Sequence, residues 1–166
     1  SHVPNSVFIG IDGSFAPWVG ALITDIKQPI VIIAQEGREE EVVTRLARVG
    51  YDNTLGYLKG GVEVWKAAGK ETDQITSMTA DELAKKMSNK LDGFVLDVRK
   101  PTEFLSQHVI GATNFPLDYI NKNMNRLDRG KTYYLHCKGG YRSMITASIL
   151  RARGYQNLVD IQKGWE

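Results

Sequence analysis

The chain has 166 residues, about one average domain, long enough to bury a core without disulfide staples. With 42% hydrophobic and 24% charged residues and a net charge of +2, it is neither disordered nor basic enough to imply a nucleic acid or a membrane surface as partner. No apolar run approaches the roughly 18 residues of a membrane-spanning helix. The start Ser1-His2-Val3-Pro4-Asn5-Ser6 lacks a signal peptide's basic and apolar regions, and a single cysteine allows no intrachain disulfide, so a cytoplasmic enzyme or interaction domain is expected.

The sequence repeats itself. Gly50-Tyr51-Asp52-Asn53 recurs as Gly154-Tyr155-Gln156-Asn157, an offset of 104 that also sets Arg38 under Arg142, Leu46 under Leu150 and Gly60 under Gly164. At an offset of 106, His108-Val109-Ile110-Gly111-Ala112 lies over His2-Val3-Pro4-Asn5-Ser6. Two copies of one α/β pattern are therefore expected, a partial one over 1–72 and a second over 73–166, joined through the polar stretch 70–77. The first copy lacks its front. The second ends where the first continues through 62–69.

Periodicity and turn signals predict, in the first copy, a strand over 7–9, a helix near 15–22 and a strand over 30–33. A helix over 39–49, a strand over 54–58 and a helix over 62–67 follow. In the second copy Thr79 and Glu82 form a capping box, and Leu83 and Met87 share the face of the helix it opens. Strands are predicted over 94–98, 112–115, 132–136 and 158–161, and Pro101 suits the first turn of a short helix over 102–105. Residues 117–124 are weakly helical, and 143–153 form a helix ended by Gly154. Alternation of this kind implies a parallel sheet with helices on both faces, and the continuously apolar strands suit burial on both sides.

The chemistry concentrates in Tyr133-Tyr134-Leu135-His136-Cys137-Lys138-Gly139-Gly140-Tyr141-Arg142-Ser143, where a strand ends, a glycine-bearing loop follows and a helix begins. In a parallel sheet that junction is the ligand-binding edge. The glycines allow the backbone N–H groups of Lys138–Ser143 to converge, and the helix N-terminus aims at the same point. Lys138 and Arg142 would add positive charge. A thiol at the base of such a cradle is favoured as thiolate, which makes Cys137 the candidate nucleophile rather than a packed small hydrophobe.

Cys137-x4-Arg142, with Leu96-Asp97-Val98-Arg99, Glu103-Phe104 and His108-Val109-Ile110-Gly111-Ala112, resembles a rhodanese domain over 77–166. Residues 2–69 resemble the later part of a second, degenerate one. Asp12-Gly13-Ser14-Phe15-Ala16-Pro17-Trp18 and Gly37-Arg38-Glu39-Glu40 extend the likeness to the tandem rhodanese region of proteins that fuse a metallo-β-lactamase-like persulfide dioxygenase to rhodanese repeats. The His-x-His-x-Asp-His metal motif of that dioxygenase is not in this sequence. The resemblance implies a sulfurtransferase in which Cys137 takes a sulfane sulfur from thiosulfate or a small persulfide and passes it to a thiol or cyanide, without a cofactor. Asp97 and His108 match family positions, with bracing of the loop as their implied role. Gln107 stands where the family usually has glycine.

Other readings stay open at this point. A cysteine phosphatase uses a similar loop, but with five residues between Cys and Arg where this chain has four (138–141). A non-catalytic sulfur carrier or docking module, paired with a second copy or with a dioxygenase domain absent from this chain, would suit the apolar sheet surface that incomplete copies leave uncovered. At the position of Cys137 the first copy has Ile33, followed by Ala34-Gln35-Glu36-Gly37-Arg38, so that copy is expected to be structural. Arg99 and Glu103 are spaced for an ion pair across a turn. His136 should point away from the thiol's face. Tyr141 is placed to shape the mouth, and Trp18, Trp65 and Trp165 read as packing. One cysteine and three scattered histidines offer no metal-ligand spacing.

Overall fold

The computed structural model describes residues 1–164, so Trp165 lies outside the described residues. The chain divides into two compact units, one formed by Ser1–Pro4 and Ile9–Gln74, the other by Asn5–Phe8 and the residues from Ile75 onward. The residues around 7–9 do not form the expected strand. Instead the Phe8 amide donates to the Ser148 hydroxyl at 2.9 Å, which ties this segment to the second unit.

The first unit runs α1 (Phe15–Leu22), β1 (Ile30–Ile32), α2 (Glu39–Ala47), β2 (Thr54–Tyr57) and α3 (Gly61–Ala67). Phe15 and Val19 of α1, Ile32 of β1, Leu46 of α2 and Tyr51 make its core, and the Tyr51 hydroxyl donates to the Ile23 carbonyl. The two strands pair in parallel, Ile32 opposite Tyr57. Burial on both sides, expected from the apolar run over 30–33, does not occur: Val31 is 65% and Leu55 67% exposed. A two-stranded sheet here is covered on one face, and apolar composition alone cannot report which faces have neighbours.

The second unit is a five-stranded parallel sheet flanked by helices, in the order β3 (Thr76–Met78), β7 (Leu158–Ile161), β6 (Tyr133–His136), β4 (Phe94–Asp97), β5 (Thr113–Asn114). β3 is an addition to the predicted elements. Its three residues carry no apolar pattern, and pairing with β7 alone makes the segment a strand. α4 (Ala80–Ser88) starts at the expected capping box: Thr79 Oγ1 accepts from the Glu82 amide at 3.2 Å and Glu82 Oε2 from the Thr79 amide at 2.7 Å. Its Leu83 and Met87 pack with Val95, Tyr134 and Ile161 on one face of the sheet. α5 (Pro101–Ser106) follows β4 with Pro101 in its first turn, and α6 (Ile120–Asn123) sits between the 3-10 turns Leu117–Tyr119 and Met124–Arg126.

α7 (Tyr141–Ala152) packs against β6 and β7, begins two residues before the predicted start and ends ahead of Gly154 at φ +92°. Side chains from Ser143 to Leu150 are buried apart from Met144, so this helix lies within the unit rather than on its surface. β6 is the central strand and all four of its residues are buried. The strand that delivers Cys137 is thus paired on both edges, and the loop after it opens at the carboxyl edge of the sheet.

Candidate active site

Register carries Cys137 to its place. Leu135 pairs with Asp160 across β6 and β7, and Cys137, two residues on, continues the face of β6 that meets α7. The chain then reverses through Gly140, whose φ of +88° is a left-handed conformation that favours glycine. That turn directs the Gly140 amide at Cys137 Sγ, 3.2 Å away. Ser143 Oγ lies 3.7 Å from the sulfur and donates to the Gly140 carbonyl at 3.1 Å. Tyr141, Arg142 and Ser143 form the first turn of α7, where amides have no acceptor within the helix. Cys137 is 1% exposed, yet what meets its sulfur is an amide hydrogen, a hydroxyl and a helix N-terminus. The Gly140 amide and the helix N-terminus present positive charge to the sulfur, while the Ser143 oxygen accepts from it.

Beneath the loop lies the turn after β7. Gly164, at φ +56°, lies so close to the Cys137 and Lys138 carbonyls that a Cβ there would overlap Cys137 O. The repeat had already aligned Gly164 with Gly60, but a matching glycine does not say which backbone it touches.

The structure distributes the charged residues differently from the expectation. Arg99 does not pair with Glu103. It donates to the Asp97 carboxylate, through Nη2 at 2.6 Å and Nε at 2.9 and 3.0 Å, and to the Gln107 carbonyl at 2.6 Å. Residues 97 and 99 leave the end of β4 with side chains on one side, so the nearer carboxylate wins. Glu103 instead takes both terminal nitrogens of Arg142, at 2.6 and 2.9 Å. The Arg142 guanidinium holds the Glu103 carboxyl down to about 2, and Glu103 raises Arg142 in return. Arg142 is thus paired with Glu103 beside the thiol.

Asp97 is fully buried. Asn114 bridges the Asp97 and Arg99 carbonyls, and His136 Nε2 is 3.9 Å from the Asp97 carboxylate. Burial pushes His136 down, so it is neutral, on the strand face away from Cys137. His108 stacks on Phe104 at 3.9 Å and its Nδ1 meets the Phe104 carbonyl at 2.8 Å. Asp97, Arg99 and His108 thus order the segment 97–108, which presents Glu103 to Arg142. Gln107 has φ −163°, an extended conformation that needs no glycine. Lys138 and Gly139 are exposed, and Tyr141 meets the Phe8 ring edge-on at 6.3 Å. Trp18 is 9% exposed; Trp65 donates its indole N–H to the Glu71 carbonyl.

In the first unit the corresponding loop has another character. Ile33 stands where the thiol would be, Arg38 is held by Asp12 at 2.8 and 2.9 Å and by Glu41 at 2.9 Å, and Glu39, Glu40 and Glu41 occupy the first turn of α2. Three carboxylates at a helix N-terminus exclude an anion.

The profile of the Rhodanese-like domain matches residues 1–68 and 79–166. Among curated proteins, the chain is 31% identical over 98 residues to a tRNA sulfurtransferase of Thermoplasma acidophilum, covering 56% of this chain and 20% of that protein. It is 24% identical over 106 residues to YrkF of Bacillus subtilis, named a putative sulfur carrier protein, covering 64% and 55%. The crystal structure of a rhodanese-like domain protein from Staphylococcus aureus superposes with a TM-score of 0.52 at 30% identity, covering 55% of this chain and 92% of that one. The chain spans little more than half the length of YrkF and a fifth of that of the tRNA sulfurtransferase.

Proposed function

The chain belongs to the rhodanese family, and from that premise we propose that it is a sulfurtransferase whose nucleophile is Cys137. The observation that carries the reading is the sulfur of Cys137 under the Gly140 amide at 3.2 Å at the N-terminus of α7. Thiolate attack on the outer sulfur of thiosulfate forms the Cys137 S–S bond, breaks the bond to the sulfonate and releases sulfite, leaving Cys–S–S⁻. A small persulfide would react likewise and release its thiolate. Attack by an acceptor thiolate or cyanide then takes the terminal sulfur and regenerates the Cys137 thiolate. Two half-reactions through a covalent intermediate give ping-pong kinetics. The transferred sulfur is anionic throughout, and fixed amides are the stabilisation it needs.

Lys138, Gly139, Gly140, Tyr141, Arg142 and Ser143 form the loop that receives the donor, with Asp97, Arg99 and His108 as its outer support. Residues 1–72 act as a repeat without chemistry, in keeping with Ile33 and the glutamates of α2. The tandem arrangement resembles that of the dioxygenase–rhodanese fusions, and a dioxygenase domain outside this chain is the partner we assign to it. A phosphatase reading is disfavoured by the four residues, rather than five, that separate Cys137 from Arg142.

A second reading, a sulfur carrier that is loaded without turning over, draws on the similarity to the putative carrier of Bacillus subtilis and on the 1% exposure of Cys137. Both readings are tested by intact mass after incubation with thiosulfate. A gain of one sulfur, about 32 Da, that Cys137→Ser abolishes is the expected result of the thiolate chemistry. Turnover to thiocyanate with added cyanide then supports the enzyme, and loading without turnover the carrier. No gain with thiosulfate or glutathione persulfide, or aryl-phosphate hydrolysis that depends on Cys137, overturns the proposal.

A further inference from the structure

Three non-glycine residues among those described have a positive φ: Asn5, Lys90 and Lys163. Asparagine tolerates that conformation, and Lys90 follows the C-cap Asn89 of α4, where a left-handed residue closes a helix. Lys163, at φ +58°, has neither reason. It lies in the turn after β7 and is followed by Gly164 at φ +56°. The turn after β2 in the first unit also has two successive left-handed residues, and both are glycine, Gly60 at φ +77° and Gly61 at φ +62°. A lysine is thus held under strain where the molecule's own repeat uses glycine, and strain of this kind is kept where a side chain has a task.

The turn touches the sulfur loop. A Cβ on Gly140 would stand 3.6 Å from the Lys163 amide nitrogen, and Gly164 lies against the Cys137 and Lys138 carbonyls. The Gly140 amide is the one directed at Cys137 Sγ. Lys163 is exposed, so its four-carbon stem carries a solvated ammonium at the border of that loop. Of the two cations expected there from the sequence, Lys138 is exposed and Arg142 is paired with Glu103; Lys163 is a third that spacing did not single out. Asp160 of β7 is buried, and burial pushes its carboxyl up, so it offers the exposed ammonium no counter-charge.

We propose that Lys163 is a specificity-determining residue of the sulfur-donor site, binding the anionic group that the donor carries beyond its reactive sulfur: the sulfonate of thiosulfate or a carboxylate of a peptide persulfide. The inference deepens the sulfurtransferase reading and rests on it for the identity of the ligand. The group recognised belongs to the part of the donor that departs, as sulfite or as a thiolate, when Cys137 takes the sulfur. An ammonium on a flexible stem acts as a point charge, so the contact selects for charge rather than for one geometry.

The test compares donors of different charge in the full chain, with cyanide as acceptor: thiosulfate, glutathione persulfide, and the persulfide of 2-mercaptoethanol, which carries no charge beyond its sulfur. In Lys163→Gln, kcat/KM should fall about threefold to fivefold for an anionic donor, the range of an exposed charge pair, and stay within about 1.5-fold for the uncharged one. The fall should shrink as salt is added. Lys163→Arg should keep the wild-type pattern, and Lys163→Gly, which relieves the backbone, should lose the discrimination as the Gln variant does. A fall with either anionic donor alone or with both supports the inference and identifies sulfonate or carboxylate as the group read. An equal change for all three donors, or none, overturns it.

A second readout does not depend on sulfur transfer. Alkylation of Cys137 by iodoacetate or iodoacetamide forms an S–C bond and releases iodide in both cases, but one reagent is anionic and the other neutral. The ratio of the two rates therefore cancels the reactivity of the thiol itself. Lys163→Gln should lower that ratio about threefold to fivefold, and an unchanged ratio overturns the inference. Absence of transfer from every donor in the wild type refutes the sulfurtransferase reading and leaves the alkylation ratio to judge Lys163.

Discussion

Replacing Glu103 with Gln preserves the side chain's shape and removes the charge that closes on Arg142. Arg142 holds Glu103 at about 2 against an ordinary 4.5. At about 1.4 kcal/mol per pH unit, that gap amounts to at most ~3.5 kcal/mol. The Glu103 side chain is 34% exposed and shares its field with water and counter-ions, so the pair should contribute about 1–2 kcal/mol. At neutral pH the variant should therefore melt about 3–6 °C lower. Because the folded value lies below the ordinary one, the contribution is whole above pH 4.5 and is lost as the pH falls through about 2. Denaturant unfolding of both proteins along that acid range should show the stability gap closing. The freed guanidinium beside Cys137 should also lower KM for thiosulfate, a dianion, by about twofold to fivefold. Equal stability at neutral pH, or a gap that persists unchanged into acid, would refute the assignment of this pair as the clamp on the loop.

Two further outcomes follow from groups around the sulfur. Gly164→Ala forces a Cβ onto the Cys137 carbonyl at a positive φ, so the loop must move; stability should fall by about 1–3 kcal/mol and transfer by about a hundredfold, measured by thermal melting and thiosulfate:cyanide turnover, and a variant of normal activity would show that the turn is not the floor of the cradle. For Asp160 the sign runs opposite to that of Glu103. Its folded value is raised, so the stability linked to it is present below the ordinary carboxylate range and lost as the pH rises through the folded value. Asp160→Asn should hence be the more stable protein at neutral and alkaline pH, with the advantage shrinking in acid; denaturation midpoints across that range would expose the opposite trend.

What the sequence displayed well was local. The capping box at Thr79, the end of β6 at His136 and the stop of α7 ahead of Gly154 each depend on residues within one turn of one another, and each is where spacing indicated. The strand–glycine–helix junction at Cys137 was legible for the same reason. Arg142 and Glu103 were both visible, but not as partners, since 39 residues separate them and Arg99 stood closer to Glu103 along the chain. Their pairing depends on β4 lying beside β6, a fact of sheet order that no spacing encodes. Asp160 left a fainter mark. An acid inside the otherwise apolar run Leu158-Val159-Ile161 could have been singled out as a buried charge in need of a partner. Val31 misled in the opposite sense, being apolar on a strand face with nothing over it.

The arginine of each repeat is fastened in the same manner, Arg142 by Glu103 and Arg38 by Asp12 and Glu41, although only one of the two repeats has a sulfur to serve. A fastening that outlives the loss of its reactive neighbour belongs to the joinery of the fold, riveting the first turn of a helix to chain laid down earlier. Reviving the dormant half would for that reason take more than Ile33→Cys. The three glutamates opening α2 would repel the very charge a new thiolate carries, and they would have to be replaced in the same stroke.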